Sequence, residues 1–182
     1  MLLSQTDLEA FQAQHPDHRL ELVNGQVIVM SPSGYESDEV AAEAIRLIGN
    51  WVRPRRLGRV AASSAGFRLP NANRDVRAPD ASFVSAERLR RSPQSFAELA
   101  PDLMVEVKSP TDSLEALEAK ILEFLLLGTQ VGLLIDPETR TIAVYRAGQP
   151  TVVLDNEDRL TVPDVLPGWE VSVADLWPLV FE

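Results

Sequence analysis

The chain has no cysteine among its 182 residues, which excludes a disulfide framework, a thiolate metal site and a cysteine nucleophile. Any metal must therefore be held by oxygen or histidine ligands. Long apolar runs are also missing: the densest, Ile121 to Leu127, is broken by Glu123 and falls far short of the about 20 residues that a bilayer span needs. The first residues, MLLSQTDLEAFQAQHPD, carry Asp7 and have neither a basic n-region nor a long apolar h-region, so no secretory signal is read there. A cytoplasmic location without a membrane role is the expectation. Basic residues are in deficit, 17 Lys and Arg against 27 Asp and Glu, for a net charge of −10. That balance disfavours a protein that coats nucleic acid non-specifically, because such affinity comes mainly from cations neutralising phosphates.

What positive charge there is comes in groups. Arg53, Arg55, Arg56 and Arg59 form one cluster, and Arg88, Arg90 and Arg91 another; solvated faces are the ordinary reading of such runs. With 45% hydrophobic residues the chain can bury one proper core, and residues 1–182 are expected to form a single domain. No repeat, low-complexity tract or long Gly/Ser linker divides it, and its prolines are spread as turn punctuation.

The pattern of elements is mixed. Asp7 to Gln14 reads as a short amphipathic helix, and Arg19 to Gly34 as a hairpin in which Asn24-Gly25 supplies the positive φ angles of a tight primed turn. Val40, Ala41, Ala44, Ile45, Leu47, Ile48 and Trp51 recur at helical spacing, predicting a helix over Ser37 to Arg53 that covers a sheet. Arg59 to Leu69 and Val76 to Val84 are extended, and Leu103 to Lys108 is rich in strand-forming residues. The helix from Asp112 to Gly128 has an Asp or Ser to cap its start and a Gly to stop it. Val131 to Gly148 then gives two strands joined at Asp136 to Thr139, and Thr151 to Leu154 a sheet edge. The order implies an α/β fold, helices flanking a mixed, antiparallel-rich sheet.

Chemistry concentrates in LMVEVKSP, Leu103 to Pro110. Alternate residues of a strand share a face, so Glu106 and Lys108 are expected to point the same way, opposite Val105 and Val107. Charges on so apolar a strand fit a metal, a partner or a substrate, although a cross-strand ion pair would serve equally well. In RAPDASFV, Pro79 fixes the chain before Asp80, and the residues that follow are strand-like. If the two strands pair, Asp80 and Glu106 converge. Two carboxylates with a backbone carbonyl, that of Val107, and waters make the hard oxygen shell that Mg²⁺ or Mn²⁺ prefers.

The succession of ELVNGQV, RAPDASFV, PDLMVEVKSP, a helix containing Lys120, and VGLLIDPETRTIAVYR resembles the Uma-two family, described as "putative restriction endonucleases", within the PD-(D/E)-x-K nuclease superfamily. The resemblance runs from about Asp7 to Arg146. It implies a restriction-endonuclease-like core, Asp80 and Glu106 as metal ligands, and Lys108 as the motif lysine. Glu21 matches the family's glutamate before the first turn, a further ligand or water orienter. Many relatives carry their lysine on the next helix instead, the position matched here by Lys120, and this sequence has both. Lys120 lies on the border of the face formed by Leu117, Ile121 and Leu125, from which its amine can reach the sheet or snorkel to solvent.

The function these features imply is Mg²⁺- or Mn²⁺-dependent phosphodiester hydrolysis with DNA as substrate, by a homodimer. RNA or a small phosphodiester is the variant reading. A nuclease fold that has lost catalysis and serves as a nucleic-acid or protein binding module is the alternative from another class. His15 and His18 are expected to be surface residues, Asp112 a helix cap, Asp136 a turn residue, and Trp51, Trp169 and Trp177 core or interface. Ser63-Ser64 has no histidine partner at a suggestive position, which disfavours serine hydrolysis.

Overall fold

The computed structural model describes residues 2–181. Helix α1, Gln5–Gln14, starts from a reciprocal capping box between Ser4 and Asp7, which satisfies donors that the first turn otherwise leaves free. Strands β1, Arg19–Val23, and β2, Gln26–Met30, form the expected hairpin, with Asn24 and Gly25 at φ 50° and 72°. Helix α2 spans Tyr35–Arg55, two residues longer at each end than its apolar spacing predicts. Its caps explain the difference: Gly34 has no side chain to mark the start, and Arg56 ends the helix in the left-handed region where a glycine would be looked for.

The two long extended stretches are each split between two sheets. The first gives β3, Gly58–Ala62, and β4, Phe67–Arg68; the second gives β5, Val76–Arg77, and β6, Ala81–Ser85. Strands β4 and β5 join the hairpin in a sheet ordered β2-β1-β5-β4. Strands β3 and β6 belong to the central sheet with β7, Leu103–Val107, β8, Val131–Asp136, β9, Thr141–Arg146, and β10, Val152–Leu154, in the order β10-β9-β8-β7-β6-β3. Every pairing in the central sheet is antiparallel except β7 with β8. A parallel pair needs a crossover, and α3, Leu114–Leu126, supplies it. Short strands β11, Arg159–Thr161, and β12, Glu170–Ser172, and a 3₁₀ turn, Val173–Leu176, close the C-terminal part. No helix among the described residues is long and apolar enough to cross a membrane.

The strand period of two divides the core into two layers. Leu103, Val105 and Val107 of β7, with Leu133 and Ile135 of β8, pack beneath Val40, Ala44 and Ile48 of α2. Met104 and Leu134 face the other way, against Ile121, Phe124 and Leu125 of α3. Trp169 and Trp177 are buried in the first layer and Trp51 is half-buried beside it, as expected. Glu106 shares the face of Met104 and so looks toward α3.

The fit of α3 on the sheet depends on Gly132, where an added Cβ would stand 2.4 Å from Cγ2 of Ile121. Ile121 is fully buried and β-branched, with little freedom to move aside. We expect Gly132→Ala to cost on the order of 2 kcal/mol through overpacking, read as a lower urea midpoint with unchanged slope. Wild-type stability in that variant would show that α3 does not seat this closely.

Candidate metal and catalytic site

Strands β6 and β7 pair with Ala81 opposite Val105, so continuing the register by one residue sets Asp80 opposite Glu106. The ladder has ended there, and the Val107 N–H donates instead to Asp80 Oδ2 at 2.8 Å. N–H and C=O of one strand residue leave on the same side, so the Val107 carbonyl is also directed toward Asp80. The expected pairing and convergence of the two carboxylates are both present.

Glu106 is 3% exposed. Burial, reinforced by the charges of Asp80 and Glu21 and opposed by Lys120, pushes its carboxyl up to about 7. Burial also raises Asp80, against the Val107 N–H bond and the charges of Lys120 and Arg19. Both effects express one condition: carboxylates gathered where water is scarce need a cation.

The structure supplies one from α3. Lys120 is 6% exposed; its ammonium lies 2.8 Å from Glu106 Oε1 and 3.6 Å from Glu21 Oε1, and donates to the Ala78 carbonyl at 3.0 Å. It does not snorkel. Burial works to neutralise it, but the carboxylates of Glu106 and Glu21 outweigh that effect and its pKa is raised. The contact with Glu106 is an ion pair without good hydrogen-bond alignment, and buried Oε1 has no other donor.

Lys108 is placed elsewhere, correcting the expectation that it shares a face with Glu106. Strand β7 stops at Val107, so the alternation that was extended to residue 108 no longer applies. The Lys108 ammonium pairs with Glu138 at 3.3 Å and Asp136 at 3.8 Å, beside Tyr35 and Ser37 at the start of α2. Asp136 also accepts from the Glu138 N–H, as the turn residue it was expected to be.

Glu21 is buried, and both its oxygens are engaged: Oε1 accepts from the Ala78 N–H at 2.8 Å, and Oε2 lies 3.4 Å from Arg77 Nε. Arg77 is held in turn by Glu123 at 2.6 Å. Glu21 thus anchors Lys120 and Arg77, and no group of three or more metal-ligating side chains forms among the described residues. The metal-ligand role expected of Glu21 is not supported by this geometry. Asp112 is not the helix cap either; Ser113 accepts from the Ala116 N–H, while Asp112 closes a turn on Ser109. His15 and His18 are exposed, as expected.

These groups line a cavity of about 390 Å³ that also takes in Arg19, Asp112 and the β2 segment after Ile28. Sequence reading missed Arg19 and Arg77. Alternation along RLELV puts Arg19 on the face of Glu21 and could have found the first; Arg77 is recognisable only once β5 is known to run beside β1.

A divalent metal fits the donors that remain. Asp80 keeps Oδ1, Glu106 keeps Oε2 because Lys120 pairs with Oε1, and the Val107 carbonyl points the same way, a hard-oxygen set suited to Mg²⁺ or Mn²⁺ with water completing the shell.

Residues 6–174 match the Uma2 family, described as "Putative restriction endonuclease". The chain belongs to this family. A solved structure described as "a putative nuclease belonging to DUF820 from Anabaena variabilis ATCC 29413" superposes with a TM-score of 0.75 at 29% identity, covering 86% of this chain and 88% of that one. The mixed sheet flanked by helices is therefore the fold expected from the sequence. No curated protein matches the chain.

Removal of the two lysines should have unequal effects. Lys120→Ala leaves Glu106 buried without its cation and Glu21 with Arg77 alone, and should cost on the order of 3 kcal/mol. Lys108→Ala loses a pair whose partner Glu138 is 79% exposed, and should stay within about 1 kcal/mol. Urea unfolding of both variants checks this; equal losses would contradict the placement of either lysine.

Proposed function

We propose that this Uma2-family chain is a divalent-metal-dependent nuclease that hydrolyses phosphodiester bonds, with DNA as substrate and a homodimer as its working form. The observation that carries the proposal is the convergence of Asp80 and Glu106 at the ends of β6 and β7, with the Lys120 ammonium 2.8 Å from Glu106. Family membership supports nuclease chemistry, and the two-fold arrangement suits two antiparallel strands. Asp80, Glu106 and the Val107 carbonyl are the residues that would hold Mg²⁺ or Mn²⁺. When bound, the metal supplies Lewis acidity and an activated water at neutral pH.

The chain's own residues do the rest. The Val107 N–H fixes the Asp80 carboxylate, so one oxygen is oriented before any ligand arrives. Glu21 and the Ala78 carbonyl hold the Lys120 ammonium over the cavity, where it can stabilise charge developing on a phosphorane oxygen. Lys120, rather than Lys108, is the working lysine in this arrangement, because it alone lines the cavity with Asp80 and Glu106. Attack of water on phosphorus, with the P–O bond to one ester alcohol breaking and that alcohol leaving with a proton from the water, needs no covalent enzyme intermediate.

Asp80→Ala and Glu106→Ala should each reduce Mn²⁺-dependent cleavage of duplex DNA by at least about 100-fold, with circular dichroism unchanged. Lys120→Met should also abolish it, while Lys108→Met should retain it. Undiminished cleavage by purified Asp80→Ala and Glu106→Ala would refute the assignment.

The raised Glu106 carboxyl adds a pH signature. With its folded value at about 7 against 4.5 ordinarily, the metal-free native state holds a proton that the unfolded chain has released, so this group's contribution to stability falls as pH rises from about 4.5 through 7. Mn²⁺ must displace that proton below pH 7. Its stabilising shift in Tm should therefore be larger at pH 8 than at pH 6, and Glu106→Gln should lose the difference. Equal shifts at both pH values in the wild type would count against Glu106 as a ligand.

A further inference from the structure

Three basic side chains line the candidate site: Arg19, Arg77 and Lys120. Two of them are neutralised within the fold, Arg77 by Glu21 and Glu123, and Lys120 by Glu106 and Glu21. Arg19 has no ion pair among the described residues, and its Nε is fully buried without an acceptor. A buried guanidinium N–H left unbonded is costly, and the rest of this half-buried side chain lines the cavity without a partner of opposite charge. Strand alternation directs Arg19 to the same side of β1 as Glu21, while its neighbour Leu20 packs into the apolar cluster with Leu22 and Val76 on the opposite side.

We propose that Arg19 is the phosphate-binding residue of this cavity, its planar fork of donors receiving the nonbridging oxygens of a phosphodiester placed before Asp80 and Glu106. The proposal rests on the nuclease reading for the identity of the reaction, but the site it names is defined by chemistry alone. A phosphodiester is a monoanion with two equivalent oxygens, which matches a guanidinium in bidentate geometry better than an ammonium. None of the carboxylates lining the cavity forms an ion pair with it: Glu21 is engaged by Arg77 and the Ala78 N–H, Glu106 by Lys120 and Asp112 by Ser109, while Asp80 feels the Arg19 charge without contact. Arg19 thus remains the cation available to an incoming anion.

The inference is tested on two readouts. In the full-length chain labelled with ¹⁵N, the arginine Nε–H resonance that disappears in Arg19→Lys should move on titration with dimethyl phosphate in the presence of Ca²⁺. In parallel, Arg19→Ala should weaken binding of a short DNA duplex in Ca²⁺ by about tenfold and lower its salt slope by about one. Mn²⁺ binding measured calorimetrically should be unchanged in that variant. Arg19→Lys, which keeps the charge and loses the fork, should recover only part of the binding. An Arg19 resonance that stays in place under dimethyl phosphate overturns the proposal even if the chain cleaves DNA. Loss of Mn²⁺ affinity in step with duplex affinity also overturns it, because Arg19 would then be holding the carboxylates. A chain that cleaves no nucleic acid, but whose Arg19 resonance moves with the phosphodiester, retains the phosphate site and loses the nuclease reading.

Discussion

The buried ammonium of Lys120 is the point on which the geometry of the site depends. It comes from α3 and meets Glu106 of β7, Glu21 of β1 and the Ala78 carbonyl in the link between β5 and β6. Those groups belong to two different sheets and a crossover helix, so one side chain fixes the relation among them. Each of the three charges would be expensive to bury alone, and each is tolerable only because the others are present. The arrangement therefore resists piecemeal change: the helix cannot shift along the sheet without uncovering carboxylates, and the hairpin cannot swing away without freeing the Ala78 N–H as well.

The site lies where the chain passes from one sheet to the other. Val76-Arg77 pairs with the hairpin, Ala81 begins the central sheet, and Ala78-Pro79-Asp80 makes the transition. A backbone leaving one ladder and not yet in the next has unpaired groups, which must find partners. Here the Ala78 N–H goes to Glu21 and the Ala78 carbonyl to Lys120, while Asp80 takes the Val107 N–H that the ended ladder leaves over. The same interruption that costs regular pairing creates a cavity with directed polar groups. Gly132, by letting Ile121 sit close on β8, brings α3 near enough for Lys120 to reach the junction.

Elements with strong local signals were legible in the sequence. Asn24-Gly25 announced its turn because both positions need positive φ, and the apolar period of α2 and α3 matched the faces they bury. Helix ends marked by Gly34 and Arg56 were not, since neither carries a capping side chain. The split of Arg59 to Leu69 and Val76 to Val84 into strands of separate sheets was hidden for a different reason: local composition is equally extended on both sides of each break, and only tertiary pairing decides where a strand changes sheets. Asp80 and Glu106 could be placed because they lie next to or within paired strands where period two holds. Lys108 could not, because a rule for residues inside a ladder was carried one residue beyond its end. Resemblance to the family identified Lys120 as its rival, and geometry distinguishes the two.

The acidity of the chain looks at first like an obstacle to a nucleic-acid substrate, yet the relevant balance is that of the cavity. Its wall carries four carboxylates, Glu21, Asp80, Glu106 and Asp112, against the three cations Arg19, Arg77 and Lys120. With every group ionised the wall is slightly negative and would repel a phosphate. A proton on Glu106, whose carboxyl is raised to about 7, relieves that excess without creating an attractive field. A divalent cation held by Asp80 and Glu106 would reverse its sign, and would do so in a desolvated space where charge acts over short distances with little screening. Affinity for a polyanion would then follow from metal occupancy rather than from a permanently basic surface. Non-specific coating of nucleic acid, which the overall charge of −10 disfavours, is not needed for a site of this kind.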